Sequence, residues 1–408
     1  MPPPEGWTTE SLGDRIQVDH GFAFDSRHFN TAGVGTALLT PANFYESGGF
    51  RALGSKQKYY AGEIPNGFLL EPQSLLVVMT EQAPGLIGSA ARMPSKTRFL
   101  HNQRLGLVRK IDPSATHLGF VEHLFNSYSV RRALSISAAG TKVRHSSPSK
   151  IQEVQCVWPP FEEQELIARI LSTADRLRRL TETRRDAARR QKRALLGPLL
   201  SGSRRFPEFR GEPWRHCRLR DVAAECNETG RGALGRDRVM GVTKTRGIVP
   251  MEDRLIGDVA RYQIVRKDWF AYNPMRLNIG SIARWRDDAP VLVSPDYVVF
   301  RCLNDELDPG YLDQYRRAHQ WRSFMQACGA GSVRVRIYFN DLGRHKMHLP
   351  PIDEQQRIAE VLSALDREIK LLTDLHEALQ EQKKGLMQRL LTGKVRVPKS
   401  MLKEAAHA

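Results

Sequence analysis

The most regular apolar pattern in the chain lies near its C-terminal end. Five aliphatic residues recur there every seven positions, namely Ile358, Leu365, Leu372, Leu379 and Leu386. Such a repeat predicts a long helix that packs against another helix as a coiled coil. The same stripe contains Val361, Leu362, Ile369 and Leu375. We expect this helix to begin after Pro350-Pro351, with Asp353 and Glu354 in its first turn, and to stop at Gly393.

An earlier part of the chain contains a second copy of this helix. A shift of 191 residues places Pro159-Pro160 on Pro350-Pro351, and 18 of the 44 positions in 159–202 are then identical. Upstream, Ile87-Gly88-Ser89-Ala90-Ala91-Arg92 corresponds to Ile279-Gly280-Ser281-Ile282-Ala283-Arg284 with one residue of slip. Shared loop glycines and a shared proline pair indicate that the two halves are copies of one unit. The first copy of the stripe contains Ile167, Ile170, Leu171, Ala174, Leu177, Leu180, Ala188 and Leu195.

Each copy begins with a globular part of mixed composition. Short apolar runs separated by Gly, Pro and Asn predict strands at 75–79, 105–108, 298–300 and 333–337, whereas 119–134 and 310–325 favour helices. The predicted fold class is therefore α+β. We predict globular parts at 1–157 and 206–348, long helices at 158–205 and 349–396, and a tail at 397–408. The stripe on each helix is narrow, so we expect the two helix copies to pair with each other within the chain.

The charge of the chain favours a polyanionic partner. Its 62 Lys and Arg residues against 45 Asp and Glu residues give a formal charge of +17, and nucleic acid is the commonest partner of such proteins. No apolar run approaches the ~18 residues that a membrane span requires. The N-terminal sequence lacks the pattern of a secretory signal. Five scattered cysteines without a CxxC pair predict a reduced protein in the cytoplasm.

A search for catalytic motifs returns no convincing match. The sequence contains no GxxxxGK[ST], HExxH or GxSxG pattern. His345 and His348 lie three residues apart on a predicted strand, without a third metal ligand nearby in the sequence. Trp158-Pro159-Pro160-Phe161 resembles the Asn/Asp-Pro-Pro-aromatic loop of amino-methyltransferases, but Trp158 cannot accept the hydrogen bond that this loop makes. We therefore predict no catalytic residue and no metal ligand in this chain.

Residues suited to DNA contact occur in both globular parts. Arg can bind guanine through O6 and N7, Asn and Gln can bind adenine through N6 and N7, and Lys binds phosphates. The predicted DNA-binding residues of the first copy are Lys56, Lys58, Tyr59, Arg92, Asn102, Gln103 and Arg104. Those of the second copy are Lys244, Arg246, Arg276, Asn278, Arg284, Arg334 and Arg336.

Nearly the whole chain resembles one known family. Two α+β parts, each followed by a Pro-Pro-x-[Asp/Glu]-Glu-Gln helix that ends in Leu-Leu-[Ser/Thr]-Gly, resemble the DNA specificity subunit of type I restriction–modification enzymes. Three motifs of the second copy resemble the target recognition domain of that family, namely Tyr272-Asn273-Pro274-Met275-Arg276, Asn278-Ile279-Gly280 and Val293-Ser294-Pro295-Asp296-Tyr297-Val298. In the first copy, Asn102-Gln103-Arg104 stands where Ser294-Pro295-Asp296 stands in the second.

The resemblance implies a non-catalytic subunit that selects DNA sequences. Each recognition domain would read one half of a bipartite, asymmetric site in double-stranded DNA. The two long helices would pack as an antiparallel coiled coil, with pseudo-two-fold symmetry, and set the spacing between the half-sites. The partners implied are methylation subunits, two per chain, and restriction subunits that join through the complex. The chain itself would hold no cofactor, because S-adenosylmethionine, ATP and Mg²⁺ are expected on the partner subunits. Two alternatives stay open: a methyltransferase or nuclease with unrecognised motifs, and a scaffold that binds DNA without reading its sequence.

Overall fold

The computed structural model describes residues 3–81, 85–140, 143–230, 232, 234–303, 305–329, 336–398 and 400–401. The chain forms two compact units. The first unit combines residues 1–181 with 375–408, and the second consists of residues 182–374. Each unit thus contains one globular part together with segments of both long helices. The predicted domain boundaries, which keep each long helix whole, stay a prediction.

The first unit contains eleven of the described strands and the start of the first long helix. Its strands are β1 (Thr8–Ser11), β2 (Ile16–His20), β3 (Phe29–Asn30), β4 (Thr36–Leu38), β5 (Lys58–Tyr60), β6 (Leu75–Val78), β7 (Thr80–Glu81), β8 (Ala90–Arg92), β9 (Leu105–Lys110), β10 (Arg144–His145) and β11 (Gln155–Trp158). Its helices are α1 (Leu118–Phe125), α2 (Tyr128–Ser137), α3 (Pro148–Gln152) and α4 (Phe161–Ser201), of which α4 continues into the second unit.

An antiparallel sheet of order β2-β9-β6-β8 separates two apolar cores in the first unit. Successive side chains of a strand point to opposite faces of the sheet. Accordingly, Leu75 and Val77 of β6 pack with α1, α2 and the start of α4, whereas Leu76 and Val78 pack in the second core. A smaller sheet, β3-β5-β4, covers a third cluster of aromatic residues.

The second unit repeats this plan with its own elements. Its strands are β12 (Arg215–Arg218), β13 (Ala223–Glu225), β14 (Val239–Thr243), β15 (Gly247–Pro250), β16 (Gln263–Val265), β17 (Phe270–Tyr272), β18 (Ile282–Arg284), β19 (Val291–Val293), β20 (Val298–Cys302) and β21 (Lys346–Leu349). Its helices are α5 (Leu219–Val222), α6 (Pro309–Tyr315), α7 (His319–Gly329), α8 (Phe339–Leu342) and α9 (Ile352–Leu390), and α9 continues into the first unit.

The central sheet of the second unit has the order β13-β20-β17-β18 and also lies between two cores. Phe270 and Tyr272 of β17 pack toward α6, α7 and the long helices, whereas Ala271 packs in the opposite core with β14 and β19. The second sheet has the order β15-β14-β19-β16. The duplication seen in the sequence is therefore also present in the sheets.

Segments of α4 and α9 are held together within each unit by equivalent ion pairs. In the first unit, Lys383 Nζ lies 2.7 Å from Asp175 Oδ2. In the second unit, Lys192 Nζ lies 2.5 Å from Asp366 Oδ1. The two pairs correspond under the 191-residue shift with the partners exchanged. In the second unit Arg184 also contacts Glu368. From Arg184 to Lys192 the residue number rises along α4, whereas their partners fall from Glu368 to Asp366 along α9, so the two segments run in opposite directions.

The start of each long helix is fixed by a buried carboxylate. Glu163 accepts hydrogen bonds from the Trp7 indole at 3.0 Å and from Arg396, whose Nη2 lies 2.7 Å away. Burial favours a raised pKa for Glu163, but the hydrogen bonds from Arg396 and Trp7 outweigh it, so the pKa is lowered. In the second unit Glu354 accepts equivalent bonds from Trp214 and Arg205. Each arginine follows the end of one long helix and binds the start of the other.

A second duplicated contact ties each long helix to its globular part. Gln164 accepts a hydrogen bond from the backbone of His117, just before α1, and donates to Ala115 and Pro159 oxygens. Gln355 makes the same three bonds with Asp308, Glu306 and Pro350. The shared Glu-Gln dipeptide after the proline pair is therefore explained by its contacts.

Several predictions about the elements need correction. The predicted strands at 75–79, 105–108 and 298–300 are confirmed as β6, β9 and β20. The predicted helices at 119–134 and 310–325 are each two helices, and in the first case the break occurs where the Ser127 side chain accepts from Val130 N and caps α2. Most of the predicted strand at 333–337 lies outside the described residues, and Ile337 is in no strand.

The apolar stripe of the long helices is interrupted near their middle. Leu177, Leu180 and Leu375, which the periodicity assigned to the stripe, are 49%, 57% and 48% exposed. By contrast Thr181, a polar interruption of the pattern, is buried and bonds its hydroxyl to Leu177 O. Ala188 is also buried, so the buried face of α4 passes through Thr181 and Ala188, beside the exposed Leu177 and Leu180.

We predict that His123 makes the first unit sensitive to acid. Burial, assisted by Lys383, lowers the pKa of His123 to about 3, so the folded chain keeps this ring neutral while the unfolded chain protonates it near 6.5. Stability is therefore present above that pH and is lost as the pH falls, by about 2 kcal/mol at pH 5. His123→Gln installs the residue found at the equivalent position 314. In this variant the urea concentration at the unfolding midpoint should fall less between pH 7 and pH 5 than it does in the wild-type chain. The exposed His20→Gln serves as control, and an unchanged pH profile for His123→Gln would contradict the assignment.

Candidate nucleic-acid interface

A β-hairpin presents two predicted contact residues in the second unit. Lys244 and Arg246 are exposed at the tip between β14 and β15. The Thr243 hydroxyl accepts from Arg246 N and donates to Gly247 O, and Gly247 adopts a φ of 71°, which glycine tolerates without strain. The tight turn therefore projects both cations into solvent.

The loop 273–281 lies beside this hairpin and carries two more predicted residues. Arg276 and Asn278 are exposed, and the Ser281 hydroxyl donates to Val242 O at 2.7 Å, which attaches the loop to β14. Arg336 is also exposed, and the backbone N–H of the next residue, Ile337, donates a hydrogen bond to Pro274 O of the same loop. The structure thus brings Arg276, Asn278 and Arg336 onto neighbouring loops. Arg334 lies outside the described residues.

A basic cleft of about 650 Å³ opens between the hairpin, β18 and the end of α6. Its lining includes two acidic residues, Asp287 and Asp313, and six cationic ones, namely Lys244, Arg246, Arg284, Arg286, Arg316 and Arg317. Sequence reasoning identified the first three cations and missed the last three. The Arg316-Arg317 pair and the Arg284-Trp285-Arg286 alternation were the available signals.

One buried carboxylate orients two of the missed arginines. The side chain of Asp313 is 3% exposed and accepts from Arg286 Nη2 at 2.6 Å and from Arg316 Nε at 2.8 Å. Burial opposes ionisation of Asp313, but Arg316 and Arg286 outweigh it and lower its pKa. Two guanidinium groups share one carboxylate, so a positive charge and spare N–H donors remain in the cleft. Such a site is suited to a phosphate.

The two arginines of the shared Gly-Ser-x-Ala-Arg motif are engaged in ion pairs. Arg284 binds Asp268, a residue with a φ of 68°, through Nε at 2.8 Å. Arg92 binds Glu122 of α1 through Nε at 2.8 Å. Both arginines are only partly exposed, and their pairs stabilise each unit; the predicted phosphate contact of Arg92 and Arg284 stays a prediction.

In the first unit the predicted residues flank an exposed aromatic side chain. Asn102 is buried and accepts from Arg104 N, whereas Gln103 and Arg104 are exposed. Gln103 N donates to Phe22 O, which places this turn beside Phe22, and Phe22 is 36% exposed. Sequence reasoning missed Phe22, because nothing in the sequence pairs position 22 with position 103.

A row of aromatic rings links this turn to the other predicted residues of the first unit. Ring centroids are 5.1 Å apart for Phe22 and Phe24, 4.9 Å for Phe24 and Tyr60, and 6.1 Å for Tyr60 and Phe29. The Lys58 ammonium lies 5.7 Å from the Phe29 centroid. Lys56 and Lys58 are exposed and Tyr59 is half-buried on β5 and the turn before it. The first interface is therefore aromatic and amide-rich, whereas the second is rich in arginine.

His345 and His348, the histidine pair noted in the sequence, lie in different surroundings. Among the described residues there is no group of three or more His, Cys, Asp or Glu side chains that could hold a metal ion. His345 is buried beside Tyr315, Trp321 and Phe324, with its pKa lowered by burial to about 4, whereas His348 is exposed and stacks on His216. No helix within the described ranges is both long and apolar enough to span a membrane.

Comparison with protein families identifies a domain in the second copy. The model described as "Type I restriction modification DNA specificity domain" matches residues 278–381. Residues 278–381 are therefore similar to this DNA specificity domain. This match covers Asn278, the side of the basic cleft formed by residues 280–317 and most of α9, and it confirms the resemblance drawn from the motifs.

Individual relatives extend the likeness beyond that domain. The chain is 26% identical over 307 residues to the specificity subunit of type I restriction enzyme MjaVIII from Methanocaldococcus jannaschii, which covers 67% of this chain and 70% of that protein. It is 26% identical over 169 residues to the EcoBI specificity subunit of Escherichia coli, covering 41% of this chain but only 32% of that protein. The crystal structure of the type I S subunit from M. genitalium matches 96% of this chain and 97% of its own, with a TM-score of 0.65 and 13% identity. The last likeness concerns the fold.

We predict that the hairpin cations contribute to DNA affinity. Lys244→Ala with Arg246→Ala should weaken binding of the chain to duplex DNA and lower the salt dependence of binding by about two counterions, because two charges leave the interface. Fluorescence anisotropy over a salt series measures both effects. Arg254→Ala is the control, since Arg254 is also exposed in the same unit and lies outside the cleft. Equal effects of the two variants would show that the cleft has no special role.

Proposed function

We propose that this chain is the DNA specificity subunit of a type I restriction–modification system. The observation that carries the proposal is the duplicated scaffold, in which two globular parts with different contact surfaces are attached to paired helices by the same side-chain contacts. The family match to the second copy supports this assignment. A chain that attaches two different contact surfaces to one repeated scaffold is suited to a bipartite, asymmetric DNA site.

The two contact surfaces favour different half-sites. Arginine side chains at the cleft of the second unit are suited to guanine edges and phosphates, whereas Gln103, with Phe22 beside it, is suited to adenine and to the thymine methyl group. Because base contacts specify and phosphate contacts position, unequal side chains on equal scaffolds predict two unrelated half-sequences. Both target recognition domains are proposed to read the major groove of double-stranded DNA.

The long helices are proposed to act as the spacer. The helices contain 41 and 39 residues, which corresponds to ~60 Å each at ~1.5 Å rise per residue. This length exceeds the ~34 Å of one DNA turn. We propose that α4 and α9 form an antiparallel coiled coil with pseudo-two-fold symmetry, so that their length sets the distance between the half-sites.

Catalysis is assigned to partner subunits. The resemblance to the specificity-subunit family supports this assignment, so methyl transfer from S-adenosylmethionine and ATP- and Mg²⁺-dependent cleavage are proposed to belong to methylation and restriction subunits. Two methylation subunits per chain would match the duplicated scaffold, and restriction subunits would join through the complex. If the purified chain alone transferred methyl groups or cut DNA, the chain would instead be an enzyme.

We predict that exchange of one recognition domain changes one half of the target. Replacing residues 206–348 with the corresponding domain of another specificity subunit should alter one half of the methylated sequence and leave the other half unchanged. Single-molecule sequencing of methylated bases in the host, with and without the gene, measures the outcome. Changes in both halves would contradict the one-domain, one-half-site assignment, and methylation without sequence preference would favour a non-specific scaffold.

We also predict that helix length sets the spacing. Deleting residues 372–378 removes one heptad of α9 and should change the distance between half-sites or abolish modification, while both globular parts stay folded. The methylated sequence reports the spacing, and circular dichroism with near-ultraviolet spectra reports folding. Full activity at the original spacing would exclude the helices as the spacer.

A further inference from the structure

The first long helix carries a cluster of cations where it runs through the second unit. Residues 186–193 contain four cations, namely Arg189, Arg190, Lys192 and Arg193, and one carboxylate, Asp186. The three arginines are exposed, and Arg193 follows the other two by three and four residues, which keeps them on one side of α4. Among the residues that the structure describes, Arg190 and Arg193 have no ion-pair partner, and Arg189 lies 3.6 Å from Asp186. We call Arg189, Arg190 and Arg193 the helix arginines.

The helix arginines line a groove of about 580 Å³ on the second unit. Its lining also includes Asp186, Lys192, Leu196 and Ile369. Lys192 is bound to Asp366 of α9, with 2.5 Å between Nζ and Oδ1. Burial opposes ionisation of Asp366, but hydrogen bonds from Lys192 and Gln314 outweigh it and lower its pKa, so this carboxylate stays charged. Only Asp186 opposes the helix arginines among the described lining residues, and the groove therefore has a net positive charge.

Asp366 connects this groove to the basic cleft. Its Oδ1 binds Lys192, which lines the groove, and its Oδ2 lies 2.8 Å from Nη1 of Arg317, which lines the cleft. All of these residues belong to the second unit. The cations of the cleft and those of the groove thus lie on the two sides of one carboxylate. A polyanion bound at the cleft can therefore be bound further along α4 by the same type of side chain.

The first unit lacks cations of both sets. Under the 191-residue shift, Arg189, Arg190, Arg316 and Arg317 correspond to Gln380, Glu381, Phe125 and Asn126, all of which belong to the first unit. Arg193 alone of the helix arginines keeps a cation at its equivalent, Lys384. Cations of the groove and of the cleft are thus present together in one unit and replaced together in the other. This joint replacement indicates that the two sets bind one ligand, and that the two units do not bind this ligand in the same way.

We propose that the helix arginines bind the phosphate backbone of the DNA that continues from the half-site of the second globular part. This inference rests on the proposed function and adds to it a contact that reads no sequence. Duplex DNA carries one negative charge per ~1.7 Å of its axis, so a duplex held at the cleft presents further phosphates beside it. Exposed guanidinium groups bind such phosphates whatever the bases are. The spacer helix thereby contributes to DNA affinity, and it does so in one unit more than in the other.

The composition of the groove favours DNA over an acidic protein that binds both units. Such a protein requires the same cations in both units, yet Arg190 is replaced by Glu381. DNA with two unlike half-sites has no such requirement. Phosphate backbones are also bound by several cations at once, which fits three arginines on one side of a helix. An acidic protein that binds the second unit alone is the remaining alternative, and the experiment separates it from DNA.

The test removes the helix arginines from the full-length chain, both free and in complex with its methylation subunits. One variant combines Arg189→Gln, Arg190→Gln and Arg193→Gln, and fluorescence anisotropy over a salt series measures its binding to duplex DNA of about 30 base pairs, roughly three turns. We expect the affinity to fall about 10-fold or more, and the salt dependence to fall by about three counterions. The set of methylated bases in the host should stay the same, because phosphate contacts carry no sequence information.

Two further variants serve as controls. Arg189→Lys with Arg190→Lys and Arg193→Lys keeps the charges and should retain most of the affinity, which separates charge from packing. Arg254→Gln with Arg322→Gln and Arg344→Gln removes the same charge from exposed positions of the second unit that line neither the cleft nor the groove, so its effect should be smaller. Thermal unfolding of each chain checks that folding is unchanged.

Three results would overturn the proposal. The first is an equal loss of affinity in the helix variant and in its charge-matched control. The second is loss of a protein subunit from the complex, seen by native mass spectrometry, while the free chain keeps its DNA affinity, since an acidic protein would then be the occupant. The third is a changed set of methylated bases, which would make the helix arginines base-reading residues. A wild-type complex that methylates without sequence preference would instead refute the proposed function, and the salt dependence would still report the phosphate contact.

Discussion

The architecture depends on a buried carboxylate that begins each long helix. Glu163 and Glu354 have side chains that are 3% and 1% exposed, and an unpaired charge at such a depth would be strongly destabilising. Each charge is neutralised by an arginine that follows the opposite long helix, and each also accepts from a tryptophan that precedes its own globular part. The first turn of each long helix is therefore stable only when the residues that follow the other long helix are in place. This requirement explains why neither copy of the repeat forms a compact unit from its own residues alone.

Because the same contacts hold the long helices in both units, the loops of the globular parts are free to differ. The central sheets keep the same strand order in both units, yet the loops on them carry aromatic and amide groups in one case and arginines in the other. In the second unit, Arg317 binds Asp366, and Asp366 also binds Lys192 of α4, so the basic cleft is connected to the helix pair through charged side chains. The equivalent of Arg317 in the first unit is Asn126, which instead bonds Ala90. The same frame thus accommodates a different coupling in each half.

The sequence predicted the repeated helices well, because periodicity and duplication are properties of the chain itself. It did not predict the division of 119–134 into two helices, since the apolar pattern continues through the cap at Ser127. It also misassigned Leu177 and Leu375, because an apolar pattern does not show that polar residues such as Thr181 occupy neighbouring buried positions. For the candidate interface, exposed loop residues such as Lys244 and Gln103 were recognisable from their chemistry. Arg286 and Arg316 were not, because their common partner Asp313 lies far away in sequence from Arg286 and only the fold brings the three together.

An internal repeat provides a comparison of two surfaces within one molecule. Pairs that are identical and buried, such as Leu171/Leu362, report the demands of packing. Pairs that differ and are exposed, such as Arg190/Glu381, are under no common demand. Pairs that are identical and exposed, such as Leu180/Leu371, are not explained by packing within the described residues, because an exposed leucine contributes little to folding.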